Sequence, residues 1–174
     1  LRDGSGFRLL DFHFTAWGGK FEASLDDRIV EHLSEAGLFP KAQRMRVDFA
    51  LEGGAIETDG DGTLLSTWRC LHERHPDVSR EEITANLQDW LQQQRILWLE
   101  HGFLEGDDTD AHIDTLARFA GPDAIVYQGC QDPADRHFIG VGQNVPRPVC
   151  RPGAGAEFRG GALTVSQAHC KRPA

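Results

Sequence analysis

Leu51-Glu52-Gly53-Gly54-Ala55-Ile56-Glu57-Thr58-Asp59-Gly60-Asp61-Gly62-Thr63 closes one strand and opens a hairpin. Before it, Val47, Phe49 and Leu51 alternate with polar or small residues, the period of a strand with one buried face. Gly53-Gly54 ends that strand. Beyond it, residues 55–58 and 63–67 flank Asp59-Gly60-Asp61-Gly62, a hairpin signal, because Asp-Gly tolerates the positive φ such turns need. Glu52 therefore stands at a strand end beside two residues without side-chain bulk, where a ligand has room to approach its carboxylate. Taken alone, a charged residue before a turn is the commoner arrangement.

Working downstream, residues 77–93 read as a helix. Ser79 stands at the cap, Glu82 at the capping-box position, and Ile83, Leu87, Trp90 and Leu91 form an apolar stripe. Residues 96–99 (ILWL) suit a short buried strand. An acidic loop, EHGFLEGDDTDA, covers residues 100–111. Residues 112–119 (HIDTLARF) and 124–127 (AIVY) read as two more strands around Gly121-Pro122. Upstream, residues 7–14 (FRLLDFHF) form a strand with Leu10, Phe12 and Phe14 on one face and Asp11 and His13 on the other. Trp17-Gly18-Gly19 breaks it. Residues 25–36 follow as a helix with Ile29, Val30 and Leu33 on one side, stopped by Gly37. Arg2-Asp3-Gly4-Ser5-Gly6 reads as a turn between strands, and Leu1 is not a natural start. The result is a mixed α/β order with several hairpins, which argues against a purely parallel sheet.

After about residue 139 the character changes. Pro146, Pro148 and Pro152 crowd together, Gly153, Gly155, Gly160 and Gly161 follow, and Arg147, Arg151 and Arg159 interrupt the few apolar residues. So many breakers do not fit inside regular elements. The expected division is a domain over residues 1–138 and an irregular tail over residues 139–174.

The 174 residues are 40% hydrophobic and 26% charged, enough for one domain with a core. A net charge of −9 disfavours a nucleic acid or an anionic membrane as partner and suits a cationic ligand. No apolar run approaches the roughly 20 residues of a membrane span, and no signal peptide is visible. A cytoplasmic location is expected. The four cysteines, Cys70, Cys130, Cys150 and Cys170, form no CxxC pair, and reduced thiols are expected.

The chemistry gathers in residues 107–114. On a strand, His112 and Asp114 share a face, while Ile113, Thr115, Ala117 and Phe119 form a core face. A hydrogen-bonded surface pair is an equal alternative. Asp107, Asp108 and Asp110 crowd the approach, and such crowding calls for a cation or for donors. A planar guanidinium, with five N–H donors in a fixed fork, matches two or three carboxylates. Carboxylates would hold it and localise charge toward its central carbon. A thiolate is the fitting nucleophile, and a histidine would protonate the leaving amine and then activate water.

Three motifs, in order, resemble one known family. The segment 51–63 looks like its EGG strand and hairpin. Gly106-Asp107-Asp108-Thr109-Asp110-Ala111-His112-Ile113-Asp114-Thr115-Leu116-Ala117-Arg118-Phe119 looks like its TDGHxDxxARF segment, with Ala111 in place of the family glycine. Asp11-Phe12-His13-Phe14-Thr15-Ala16-Trp17-Gly18-Gly19-Lys20 resembles its DWxFNAWGGK stretch. The family is that of agmatine deiminases and bacterial-type peptidyl-arginine deiminases, and the resemblance runs from about residue 7 to about residue 138. It implies a pentein, a five-bladed α/β propeller built from ββαβ units around a central site, here incomplete. It implies hydrolysis of a guanidinium to a ureido group and ammonia, on agmatine or peptidyl-arginine, without metal or organic cofactor, and often as a homo-oligomer. His112 matches the general acid/base, and Asp114 and Glu52 match carboxylates that grip the guanidinium. Asp110 and Trp17 fall beside them as substrate contacts.

The family nucleophile is a cysteine near the end of a chain about twice this length. Cys170, after His169 and Gly160-Gly161, faintly echoes its GGxxHC element but follows His112 closely in sequence. Cys70 and Cys130 read as buried small hydrophobes. Arg2-Asp3 superficially resembles an upstream family RD segment, but sits where the family has a turn. The chain is therefore expected to be a truncated deiminase without activity of its own. Two other readings stand beside this one. One is a metal-dependent hydrolase using Asp108, Asp110, His112 and Asp114. The other is a non-catalytic binding or interaction protein whose uncovered strand edges and core faces call for a partner.

Overall fold

Strand β2 (Gly6–His13) pairs antiparallel with the two-residue β1 (Arg2–Asp3) on one side and parallel with β3 (Ala42–Ala50) on the other. The same pattern then recurs. Strand β5 (Thr63–Thr67) pairs antiparallel with β4 (Ile56–Thr58) and parallel with β6 (Arg95–Leu99). A third antiparallel pair, β7 (Ala117–Gly121) with β8 (Ala124–Tyr127), follows. This computed structural model describes residues 1–4, 6–100, 110–121, 124–128 and 134.

Parallel neighbours cannot be joined by a tight turn, so helices carry each crossover. Between β2 and β3 lie a short helical turn, α1 (Ala16–Gly19), a 3-10 turn (Asp26–Arg28) and α2 (Ile29–Glu35). Between β5 and β6 lie α3 (Trp68–Arg74) and α4 (Arg80–Leu91). Two successive units thus read strand, strand, helix, strand.

Local chemistry sets the boundaries. Gly37, at φ +75°, ends α2, with the Leu38 amide on the Leu33 carbonyl (3.1 Å) and the Gly37 amide on that of Ser34 (3.0 Å). Ser79 caps α4 by accepting from the Glu82 amide at 3.2 Å. Gly60 and Gly62 take φ +72° and +87° in the β4–β5 hairpin. Asp59 Oδ1 holds that turn by accepting from the amides of Asp61 (2.8 Å) and Thr63 (2.9 Å).

β5 is buried along its whole length and divides the interior. Leu64 faces a cluster containing Val47, Phe49, Leu51, Cys70, Ile83 and Leu87. Its neighbour Leu65 points the other way, toward Leu99, Ile113, Leu116 and Ala117. Each fully buried leucine or isoleucine here contributes roughly 1.5–3 kcal/mol. Ala111 belongs to the first cluster and Ile113 to the second, so the chain on either side of His112 is anchored in two separate cores.

Several expected boundaries move. Residues 112–119 are not one strand: Ile113–Thr115 is a 3-10 turn and β7 begins only at Ala117. Thr115, expected on the core face, is exposed, and Leu116 takes a buried place instead. Ala55 belongs to a 3-10 turn, Gly53–Ala55, and helix α3 was not foreseen. The helix expected over 25–36 begins as 3-10 turn, and its apolar side is open: Leu25 is 73% and Ile29 48% exposed. The tail 139–174 lies outside the described residues. Among the described residues, no helix is long and apolar enough to cross a membrane.

Candidate active site

Glu52, at the end of the extended chain after β3, is 3% exposed and fully engaged. Its Oε1 accepts from the Thr15 hydroxyl (2.8 Å) and the Trp17 amide (2.7 Å). Its Oε2 accepts from Arg74 Nη2 (2.5 Å) and His112 Nε2 (2.7 Å). Burial by itself would push the carboxyl pKa up. The bonds from His112 and Thr15, the Arg74 charge and the Trp17 amide outweigh burial and hold it at about 2. Glu52 is therefore an ionised hub joining both units and the 3-10 turn after His112.

His112, 4% exposed, precedes that turn. An ionised carboxylate only accepts, so Nε2 carries the proton it gives to Glu52. The opposite nitrogen, Nδ1, lies against Gly54. A methyl group at Gly54 would stand 2.5 Å from His112 Nδ1 and 2.8 Å from Asp114 Oδ2. The second glycine of the pair thus clears space beside the histidine, whereas Gly53 has nothing within 4 Å of that position. Asp114 is exposed, and among the described residues its carboxylate makes no hydrogen bond. A 3-10 turn, rather than strand alternation, brings His112 and Asp114 to this one point.

Left-handed backbone brackets the site. Ala16, Trp17, Gly18 and Gly19 take φ values of +48°, +61°, +79° and +86°, which aims the Trp17 amide at Glu52. Asp110 and Ala111 take +56° and +63° immediately before His112. Such stretches of non-glycine residues are strained and concentrate at functional sites. The Trp17 ring stands edge-on to Phe14 and Phe21, each 5.9 Å away. Asp110 pairs with Lys20 at 3.0 Å. Among the described residues no group of three or more His, Cys, Asp and Glu side chains is gathered as a metal ion would need. Asp107 and Asp108 lie outside the described residues.

Cys70 is the one cysteine among the described residues. It is fully buried, and burial pushes its thiol up to about 12 despite Arg74 Nη1 at 3.2 Å. A thiol so protonated is no nucleophile. Cys130, Cys150 and Cys170 lie outside the described residues.

The family model for Porphyromonas-type peptidyl-arginine deiminases matches residues 3–146. The chain belongs to that family. It is 36% identical over 147 residues to an agmatine deiminase of Pseudomonas aeruginosa, covering 80% of this chain and 39% of that protein. An agmatine deiminase of Stutzerimonas stutzeri is 37% identical over 146 residues, 79% of this chain and 39% of the other. Among solved structures, the C. jejuni agmatine deiminase with substrate bound superposes with a TM-score of 0.72 at 38% identity, covering 79% of this chain and 41% of that one. The agmatine deiminase of Enterococcus faecalis gives 0.67 at 32% identity, over 77% and 38%. The chain spans about two fifths of the length of these relatives. Its ββαβ units are part of a pentein, the fold expected from the sequence.

Sequence reasoning missed two residues that bond to the Glu52 carboxylate, Arg74 and Thr15. Arg74 ends a seven-residue helix, inside His72-Glu73-Arg74-His75, which looks like solvated surface. Thr15 lies inside the quoted motif, but nothing in its spacing marks it as a donor to Glu52.

Proposed function

We propose that this chain carries the acid–base and cation-gripping part of a guanidine-hydrolysing site, acting on a guanidino compound of the agmatine or peptidyl-arginine kind. The observation that carries the reading is the Glu52–His112 bond of 2.7 Å across 60 residues of sequence, with Gly54 clearing the ring's other face. Glu52 fixes the imidazole through Nε2. Nδ1 is then the nitrogen left to exchange a proton with substrate, and Asp114 is the open carboxylate beside it. A guanidinium laid against Asp114 would present a leaving nitrogen to His112.

In the reaction, a thiolate adds to the central carbon, ammonia leaves with a proton from the histidine, and water activated by the same group releases the ureido product. Cys70 does not fill the thiolate's place, because it is buried and protonated. Cys170 remains the sequence candidate. Without an accessible thiolate at His112, the chain binds substrate and does not turn it over.

Calorimetric titration with agmatine and with an arginyl peptide, beside an assay for ureido product, tests this. Binding weakened at least about tenfold by Asp114→Asn, with no product, is expected. Binding indifferent to that change would remove the proposed grip. Product formation abolished by Cys170→Ala would show the chain to be a complete enzyme.

A further inference from the structure

We propose that Arg74 is a positioning residue of this site, an internal guanidinium that fixes the Glu52 carboxylate and, through it, the imidazole of His112; the inference rests on the guanidine-hydrolysis reading above. The Arg74 side chain is 1% exposed. Nη2 donates to Glu52 Oε2 at 2.5 Å and stands 3.4 Å from His112 Nε2. Nη1 donates to the Cys70 carbonyl at 2.9 Å and meets its sulfur at 3.2 Å. The fork is thus tied to α3 by one nitrogen and to the carboxylate by the other.

Two features separate this from ordinary packing. First, among the described residues Arg74 Nε is buried with no hydrogen-bond partner. Leaving a buried donor unpaired costs on the order of 1–3 kcal/mol, so stability alone is a poor reason for a guanidinium here. Second, Arg74 and His112 converge on the same oxygen, Oε2. A guanidinium has no acceptor, so on the arginine side of His112 the Nε2 proton has nothing to be given to but the shared carboxylate, which Arg74 keeps charged and in place. The ring is thereby held with its proton on Nε2 and its lone pair on Nδ1, toward the space cleared by Gly54 and toward Asp114. Arg74 occupies the sealed side of Glu52, and the exposed Asp114 side is left for a second guanidinium, that of the substrate.

NMR on the whole chain tests this without needing turnover or ligand. The Glu52 side-chain carbon is titrated, and the His112 ring nitrogens report which of them holds the proton. In Arg74→Gln the Glu52 midpoint should rise by about 1–3 pH units, the effect of losing an adjacent opposite charge, and His112 should become a mixture of both neutral forms. Arg74→Lys should keep the midpoint low but release the ring, because an ammonium supplies charge without the fork. An Arg74→Gln protein with both readings unchanged would overturn the inference. Should that variant fail to fold, Arg74→Lys decides: a ring released supports positioning by the fork, and a ring held as in the parent chain overturns it. Loss of agmatine binding in the parent chain would sink the functional reading and leave these NMR outcomes to stand or fall separately.

Discussion

Ala111 sits at φ +63°, directly before His112, in a conformation that costs a non-glycine residue about 1–2 kcal/mol. The resemblance places a glycine here, and alanine keeps its small size but not its backbone freedom. The backbone explains the glycine: conformation is demanded at this position, whereas size is not. Replacing Ala111 by glycine relieves the strain and loosens the unfolded chain, opposing effects of similar kind. The net expectation is a gain of about 0.5–1 kcal/mol, read from the urea midpoint. Glu52 carries a prediction in pH. Its pKa is about 2 in the fold against an ordinary 4.5, so folding favours its charged form. The stabilisation is complete above pH 4.5 and is lost as pH falls toward 2. A shift of this size is worth on the order of 3 kcal/mol in all. Denaturation measured at pH 6 and at pH 3 should show the loss in the parent chain and a flatter response in Glu52→Gln. Gly54→Ala belongs at the same scale. A methyl 2.5 Å from His112 Nδ1 must displace the ring or Asp114, so His112 resonances should move and agmatine affinity should fall at least tenfold, while overpacking costs about 1–3 kcal/mol.

At the scale of elements, α3 matters more to the site than its seven residues suggest. Thr67 starts it, accepting from the Cys70 amide at 3.2 Å while donating to the Ala111 carbonyl at 2.6 Å. One hydroxyl therefore ties the helix that carries Arg74 to the segment that carries His112. Thr67→Val keeps the shape, removes the cap and leaves that carbonyl without its hydroxyl donor, and should cost about 2–3 kcal/mol in thermal or urea unfolding. A cost under about 0.5 kcal/mol would mean the two segments are held by packing alone. The legible elements each carried their own punctuation: Ser79 and the Ile83–Leu87 stripe for α4, Asp-Gly repeats for the β4–β5 hairpin, Gly37 for the end of α2. Helix α3, seven residues long like α2, has no such glycine stop after it and was not legible. The His112–Asp114 pair was legible as a pair but not as a turn. Alternation through Ile113, Thr115, Ala117 and Phe119 imitates a strand, and only the anchoring of Ala111 and Ile113 in different clusters reveals the 3-10 geometry.

At the scale of the whole molecule, the apolar side of the helix read over residues 25–36 is left open. Leu25, Ile29 and Leu33 have helical spacing, yet they are 73%, 48% and 36% exposed, and Phe21 nearby is 61% exposed. The two pentein units share the cluster in which Ile83 and Leu87 are fully buried, and Leu25, Ile29 and Leu33 belong to neither cluster beside β5. The two stripes should therefore respond oppositely to substitution. Leu87→Ala should cost about 2–5 kcal/mol in unfolding, the range for a filled core position. Ile29→Ser with Leu33→Ser should change stability by no more than about 0.5 kcal/mol. An exposed patch of this kind also promotes association, so sedimentation equilibrium should show concentration-dependent assembly of the parent chain that the double serine variant reduces. If the serine pair instead destabilised the chain as much as Leu87→Ala at low concentration, where the chain sediments as a monomer, the α2 stripe would be covered within the folded molecule, and the division of the core into two clusters around β5 would have to be redrawn.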